Sequence, residues 1–231
     1  PGRILPTGPP EPMPTAFALA LALRQLPDPA FLGALAKGLL AALAVFLGLA
    51  ALSAWGLGAL AGGTGWLGGI AAAAGGLAAI GLAVWLFVPV MIGLSGLFLD
   101  GVAAAVERRF YPHLPQAAGG ASLAAQARFN IGLALRMGAL TVLALPLAIV
   151  APPFGAVALW AISTIALGHG LFEGVAQRRM PVPAARAARR ARRGRVLAAG
   201  AVLAAMSLVP GLNLIVPVFG TAVMTHLLHR E

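Results

Sequence analysis

The stretch Met137–Gly168, MGALTVLALPLAIVAPPFGAVALWAISTIALG, decides the fold. Two apolar runs, Met137–Ala151 and Phe154–Gly168, flank Pro152-Pro153 and contain no charged side chain. Each is about 15 residues, which as a helix reaches ~23 Å, short of a ~30 Å hydrocarbon core. The turn between them has no polar group to anchor in headgroups or water. The pattern predicts a helical hairpin that dips into a membrane and returns. The design recurs near the end, where Val196–Val209, the break Pro210-Gly211-Leu212-Asn213 and the return Leu214–Leu228 form a second undersized pair. Paired, Pro-interrupted short hydrophobic segments point to discontinuous helices of transporters. Backbone freed at such breaks is tolerated only where protein buries it or a wet cavity receives it.

Composition agrees. Of 231 residues, 60% are hydrophobic and only 10% charged, and the mean hydropathy is +0.94. A soluble domain carries about 25% charged residues, so the bilayer is the main solvent here. Thirty glycines suit helices packed closely in lipid. The apolar runs are unbroken rather than alternating, which argues against a transmembrane β-barrel. The absence of cysteine excludes disulfides, thiolate metal sites and cysteine nucleophiles. The net charge of +10 does not indicate nucleic acid, because the positive charge lies beside membrane spans and has no interleaved aromatics.

Working outward, residues 1–12 have the Pro/Gly character of a linker or cloning remnant, and Met13 reads as a natural start of a single membrane domain over 13–231. Phe17–Leu23 predicts a short interfacial helix ending at Pro27-Asp28-Pro29. Residues 31–55 predict a first transmembrane helix, with Lys37 snorkelling back to the interface. The uncharged loop Gly56–Gly65 follows, bracketed by Trp55 and Trp66. Residues 66–111 predict a long transmembrane helix, bent near Pro89 and continuing past Asp100 and Glu107 as a cytoplasmic extension that ends at Pro112 and Pro115. Ser122–Arg136 reads as an amphipathic approach to the hairpin 131–172. The basic segment 178–195 then leads to the hairpin 196–229. The expected fold is an all-α integral membrane protein with two long transmembrane helices, two partly penetrating (re-entrant) helical hairpins and amphipathic cytoplasmic helices.

Arginine and lysine are absent from 56–65, 151–155 and 209–213 but present in every connection on the opposite side, including eight arginines within 178–195. This separation predicts cytoplasmic N- and C-termini. It holds equally for re-entrant and fully crossing hairpins.

Several motifs resemble the CysZ sulfate permeases, within the wider etoposide-induced 2.4 family. They are Leu97-Phe98-Leu99-Asp100 with Val106-Glu107-Arg108-Arg109, the basic residues Arg186, Arg190, Arg192 and Arg193, and Val209-Pro210-Gly211-Leu212-Asn213-Leu214 leading to Pro217. The resemblance covers nearly all of Phe17–Arg230. It implies the same arrangement of long helices and hairpins, a homo-oligomer in a bacterial inner membrane, and sulfate entry into the cytoplasm for cysteine synthesis. It also implies an arginine pair after a Pro-Gly at the start of the first long helix, where this chain has Leu32 and Gly33.

An anion entering the bilayer needs replacements for its hydration shell, which arginines and freed backbone N–H groups provide. The anion-path candidates are Arg24, Lys37, Glu107, Arg128, Arg136 and Asn213. Arg128 and Arg136 stand two turns apart on one helix face; the competing reading is snorkelling interface arginines. Glu107 pairs either with one of them in a buried network or stands exposed beside Arg108 and Arg109. Asn213 caps backbone at a helix break or contacts the ion. His169 and Glu173, at i and i+4, relay a proton or mark a hairpin's cytoplasmic end. His226 and His229 lack a third ligand for a metal site. The arginine run faces anionic lipid or gathers anions. No phosphate-binding G-x-x-x-x-G-K-[ST] loop, catalytic constellation, metal site or cofactor site is read from the chain. The functional expectation is a permease for a small oxyanion, most of all sulfate, with membrane lipids as partners and no nucleic acid. The alternative is a non-transporting membrane scaffold or assembly factor, and an enzyme ranks third.

Overall fold

The structure, a computed structural model, describes residues 14–24, 29–60, 73–74, 76–77, 81 and 99–229. The expected linker at 1–12, Met13, and most of the expected 66–111 helix, including Trp66 and Pro89, lie outside the described residues. Among those described the chain is all helical: α1 (Thr15–Leu23), α2 (Pro29–Leu60), α3 (99–110), α4 (Leu123–Val150), α5 (Pro152–Gln177), α6 (Val182–Ala191), α7 (Arg193–Met206) and α8 (Leu212–His229).

The chain divides into two compact units, one of Gly33–Phe98 and the other of Pro1–Leu32 with Leu99–Glu231. The smaller unit holds most of α2, which spans 32 residues and so about 48 Å. The helix extends through Gly56–Leu60, where the sequence suggested a loop. Its apolar side chains Leu40, Leu43 and Leu47 are exposed, as lipid-facing residues are.

In the larger unit, α5 packs on α4 and α7, and α8 packs against α1, α5 and α7. Pro152 and Pro153 start α5 directly after Ala151, whose non-helical backbone ends α4. Proline tolerates a helix's first turn because its missing N–H would have no partner there. The break between α7 and α8 falls at Gly211, with φ of 88°, a left-handed conformation that suits glycine.

The helices of the first pair are longer than the apolar runs suggest. α4 has 28 residues and α5 has 26. α4 starts at Ser122, whose Oγ accepts from the Ala125 N–H at 3.3 Å, and continues unbroken past Arg128 and Arg136. The amphipathic approach and the apolar arm are thus one helix. Both α4 and α5 are long and apolar enough to cross a membrane. α4 exposes Leu135, Val142, Leu143, Ile149 and Val150, each by more than half. So continuous an apolar face requires a lipid or protein cover.

By contrast, α8 is enclosed beyond its first turns, with every residue from Val218 to Leu228 buried. Its polar groups there are matched internally: Thr221 donates to the Pro217 carbonyl and Thr225 to that of Thr221, each at 2.8 Å. The α5–α7 contact depends on small residues, since a Cβ on Gly200 would run into the Thr164 carbonyl and crowd Gly168. Gly200→Val is therefore expected to lower stability by about 1–3 kcal/mol through overpacking. Gly174→Ala, at a position with nothing within 4 Å, leaves helix packing intact. Thermal unfolding in detergent measures both.

Candidate functional site

Three helices line one cavity, and two of them bring cationic side chains to it. On α4, Arg128, Gly132 and Arg136 recur every fourth residue and so share a face. A Cβ on Gly132 would meet nothing within 4 Å, so the space between the arginines stays open. α5 contributes His169 and Glu173, one turn apart. α6 contributes Arg186 and Arg189, with Val182 and Pro183 at its start. Together these residues line a cavity of ≈ 410 Å³, comparable to small-molecule sites.

One arginine there is occupied. Arg189 Nε donates to Glu173 Oε1 at 2.6 Å, and its Nη1 lies 2.9 Å from His169 Nε2. A guanidinium only donates, so His169 Nε2 accepts and the ring proton sits on Nδ1. Glu173 is 1% exposed, which makes its charge compensation by Arg189 necessary. Arg128, Arg136 and Arg186 are exposed and have no carboxylate partner among the described residues. The cavity thus carries a surplus of positive charge in forked, donor-only groups suited to oxyanion oxygens.

Glu107 belongs to a different cluster. It is buried and takes Arg179 Nε at 2.9 Å, Arg178 Nη1 at 3.1 Å and His229 Nε2 at 2.9 Å. Arg178 also reaches Asp100 at 3.3 Å, and Arg179 donates to the Pro115 carbonyl at 2.9 Å. Burial pushes the Glu107 carboxyl upward, but the hydrogen bonds from His229 and Arg179 and the charges of Arg178 and Arg179 outweigh it. The net effect holds the group well below the usual carboxylate range. Neither expectation for Glu107 matches this arrangement: its partners are not Arg128 or Arg136, and it is not an exposed neighbour of Arg108 and Arg109. The cluster ties the end of α3 to the end of α8. Tyr111 reinforces the tie through its hydroxyl, 2.8 Å from His226 Nδ1.

Arg24 and Asn213 are not brought to the cavity. Arg24 is exposed at the end of α1, and Lys37 is exposed on α2 in the smaller unit. Asn213 is exposed in the first turn of α8; its backbone N–H donates to Val209 O at 3.2 Å. Its side chain makes no hydrogen bond among the described residues, so the expected amide cap is absent. At the start of α2, Leu32 is half exposed. His226 and His229 are engaged by Tyr111 and Glu107, and no cluster able to hold a metal ion occurs among the described residues. Sequence reasoning singled out Arg128 and Arg136 but missed Arg189 as the bridge between His169 and Glu173, and Arg186 as a lining residue.

No curated protein and no solved structure matches the chain significantly. The family model described as "Sulfate transporter CysZ/Etoposide-induced protein 2.4" matches residues 18–217, a span that includes both arginines of α4, the whole cavity lining and Glu107. The chain, with its helices fit for a membrane and its cationic cavity, belongs to the sulfate transporter CysZ/etoposide-induced protein 2.4 family.

Proposed function

We propose that this protein is a permease that admits a small oxyanion, sulfate first among the candidates, into the cytoplasm for sulfur assimilation into cysteine. The observation that carries this reading is the cavity between α4, α5 and α6, where Arg128, Arg136 and Arg186 have no carboxylate partner among the described residues. Such a site replaces an anion's hydration shell while leaving room for the ion to move. The family's printed description supports sulfate.

The proposed setting is a bacterial inner membrane, with the arginine-bearing halves of α4 to α7 and both chain ends on the cytoplasmic side, as the charge segregation favours. α7, with 14 residues, reaches about 21 Å, which favours a partly penetrating α7–α8 pair. The apolar part of α4 beyond Arg136 is similarly short. The exposed face of α4 favours a homo-oligomer in which a second copy or lipid covers it. The scaffold alternative has no observation in its favour.

Labelled sulfate uptake into proteoliposomes tests the reading. Uptake above that of protein-free vesicles, suppressed by sulfite as a competing oxyanion, is expected. An Arg128→Ala/Arg136→Ala variant is expected to lose at least about fivefold in rate, since each charge-assisted contact contributes about 1.5–3 kcal/mol. Flux equal to that of empty vesicles removes the permease proposal, and an unaffected double variant removes the cavity from it.

A further inference from the structure

In sequence the arginines of 178–195 look alike, but the structure sorts them. Arg178 and Arg179 are taken by Asp100 and Glu107, and Arg189 by Glu173. Arg186, Arg190 and Arg193 stay exposed, with no carboxylate partner among the described residues. Arg186 lines the cavity, whereas Arg190 and Arg193, on either side of the α6–α7 junction, do not. The inward side of α6 carries Ala185, which is fully buried, and one turn later Arg189, held by Glu173.

Both neighbours of α6 fix its depth. The apolar run of α5 ends at Gly168, and Glu173, which holds α6 through Arg189, lies about 7.5 Å farther along the helix axis. The apolar run of α7 begins at Val196, three residues after Arg193. A headgroup layer occupies roughly 5–8 Å on each side of the hydrocarbon core. The end of α6 is therefore set at the level of lipid phosphates, with Arg190 and Arg193 exposed and no acid between residues 178 and 195.

From this placement we infer that Arg190 and Arg193 form a binding site for the phosphate groups of anionic phospholipids. The site goes beyond the permease reading and requires only that α5 and α7 enter the bilayer. Guanidinium groups pair with phosphate in bidentate fashion, and juxtamembrane basic residues draw anionic lipid to a cytoplasmic leaflet.

The test uses the full chain in nanodiscs of mixed phosphatidylcholine and phosphatidylglycerol, with retained lipid identified by native mass spectrometry after release into detergent. The parent is expected to retain phosphatidylglycerol preferentially. Arg190→Gln/Arg193→Gln, which spares the cavity residue Arg186, is expected to lower that preference by at least about fivefold, the effect of one arginine near an anionic surface. Arg190→Lys/Arg193→Lys, which keeps the charge, retains most of it. Arg24→Gln/Lys37→Gln, which removes equal charge elsewhere, leaves it unchanged. The proposal is overturned if the parent shows no preference, if the glutamine pair matches the parent, or if the Arg24/Lys37 pair loses as much. Two other occupants are also distinguished. Displacement of phosphatidylglycerol by millimolar inorganic phosphate or sulfate assigns the stripe to a free anion, and binding of an RNA oligonucleotide lost only in the glutamine pair assigns it to nucleic acid; either result overturns the lipid site.

Discussion

Replacing Glu107 by alanine is expected to lower the stability of the solubilised protein by about 3–5 kcal/mol, the cost of breaking a buried ion pair from one side. The carboxylate is hydrogen-bonded to Arg179 and His229 and ion-paired with Arg178. Without it Arg178 keeps Asp100, whereas Arg179 and His229 lose their acidic partner. Glu107→Gln, which keeps the shape and one acceptor oxygen, is expected to fall between the parent and the alanine variant. The effect also depends on pH. A carboxyl held below its ordinary value of 4.5 binds its proton less readily in the folded chain than in the unfolded one. Its contribution is fully present above that pH and is lost as pH falls toward the depressed folded value. The difference in melting temperature between parent and Glu107→Ala should therefore be constant near neutrality and shrink below about pH 4.5. A difference that grows on acidification contradicts the assigned network.

Glu173→Gln is expected to tighten sulfate binding and slow sulfate uptake together. The carboxylate neutralises Arg189 at 2.6 Å; a neutral amide leaves that guanidinium charged and free to join Arg128, Arg136 and Arg186. An added unit charge about 8 Å from a dianion contributes about 1 kcal/mol even at the dielectric constant of water, roughly fivefold in affinity. Conduction requires a site weak enough to release its ion, so the tighter site turns over more slowly. Equilibrium binding of labelled sulfate in detergent and uptake in proteoliposomes should move in opposite directions. If both fall together, Glu173 supports the fold without tuning the cavity.

How much of this was legible in the sequence follows from how local each signal is. The breaks at Pro152 and at Pro210-Gly211 were readable because proline's missing N–H and glycine's access to positive φ act within a few residues. That Arg128 and Arg136 share a face needed only the helical repeat. The lengths of α4 and α5 were not readable from apolar runs, since a helix does not stop where its side chains become charged: α4 runs from its Ser122 cap straight past both arginines. The Glu107 network lay further out of reach. Arg179 and His229 are 72 and 122 residues away from it, and no local pattern announces such a pairing. The His169–Glu173 spacing was visible, but the arginine that joins them comes from another helix.

The packing of α1 on α8 sets an order of assembly. Among the described helices, α1 leaves the ribosome before any other and α8 after all of them, yet the two lie against each other in the finished molecule. Until α8 emerges, α1 lacks that helix to pack on, and the faces of α5 and α7 that α8 will cover stand open. A chain stalled before residue 212 is thus a recognisably incomplete membrane protein, offering an unfilled slot to chaperones and proteases that the completed bundle withholds.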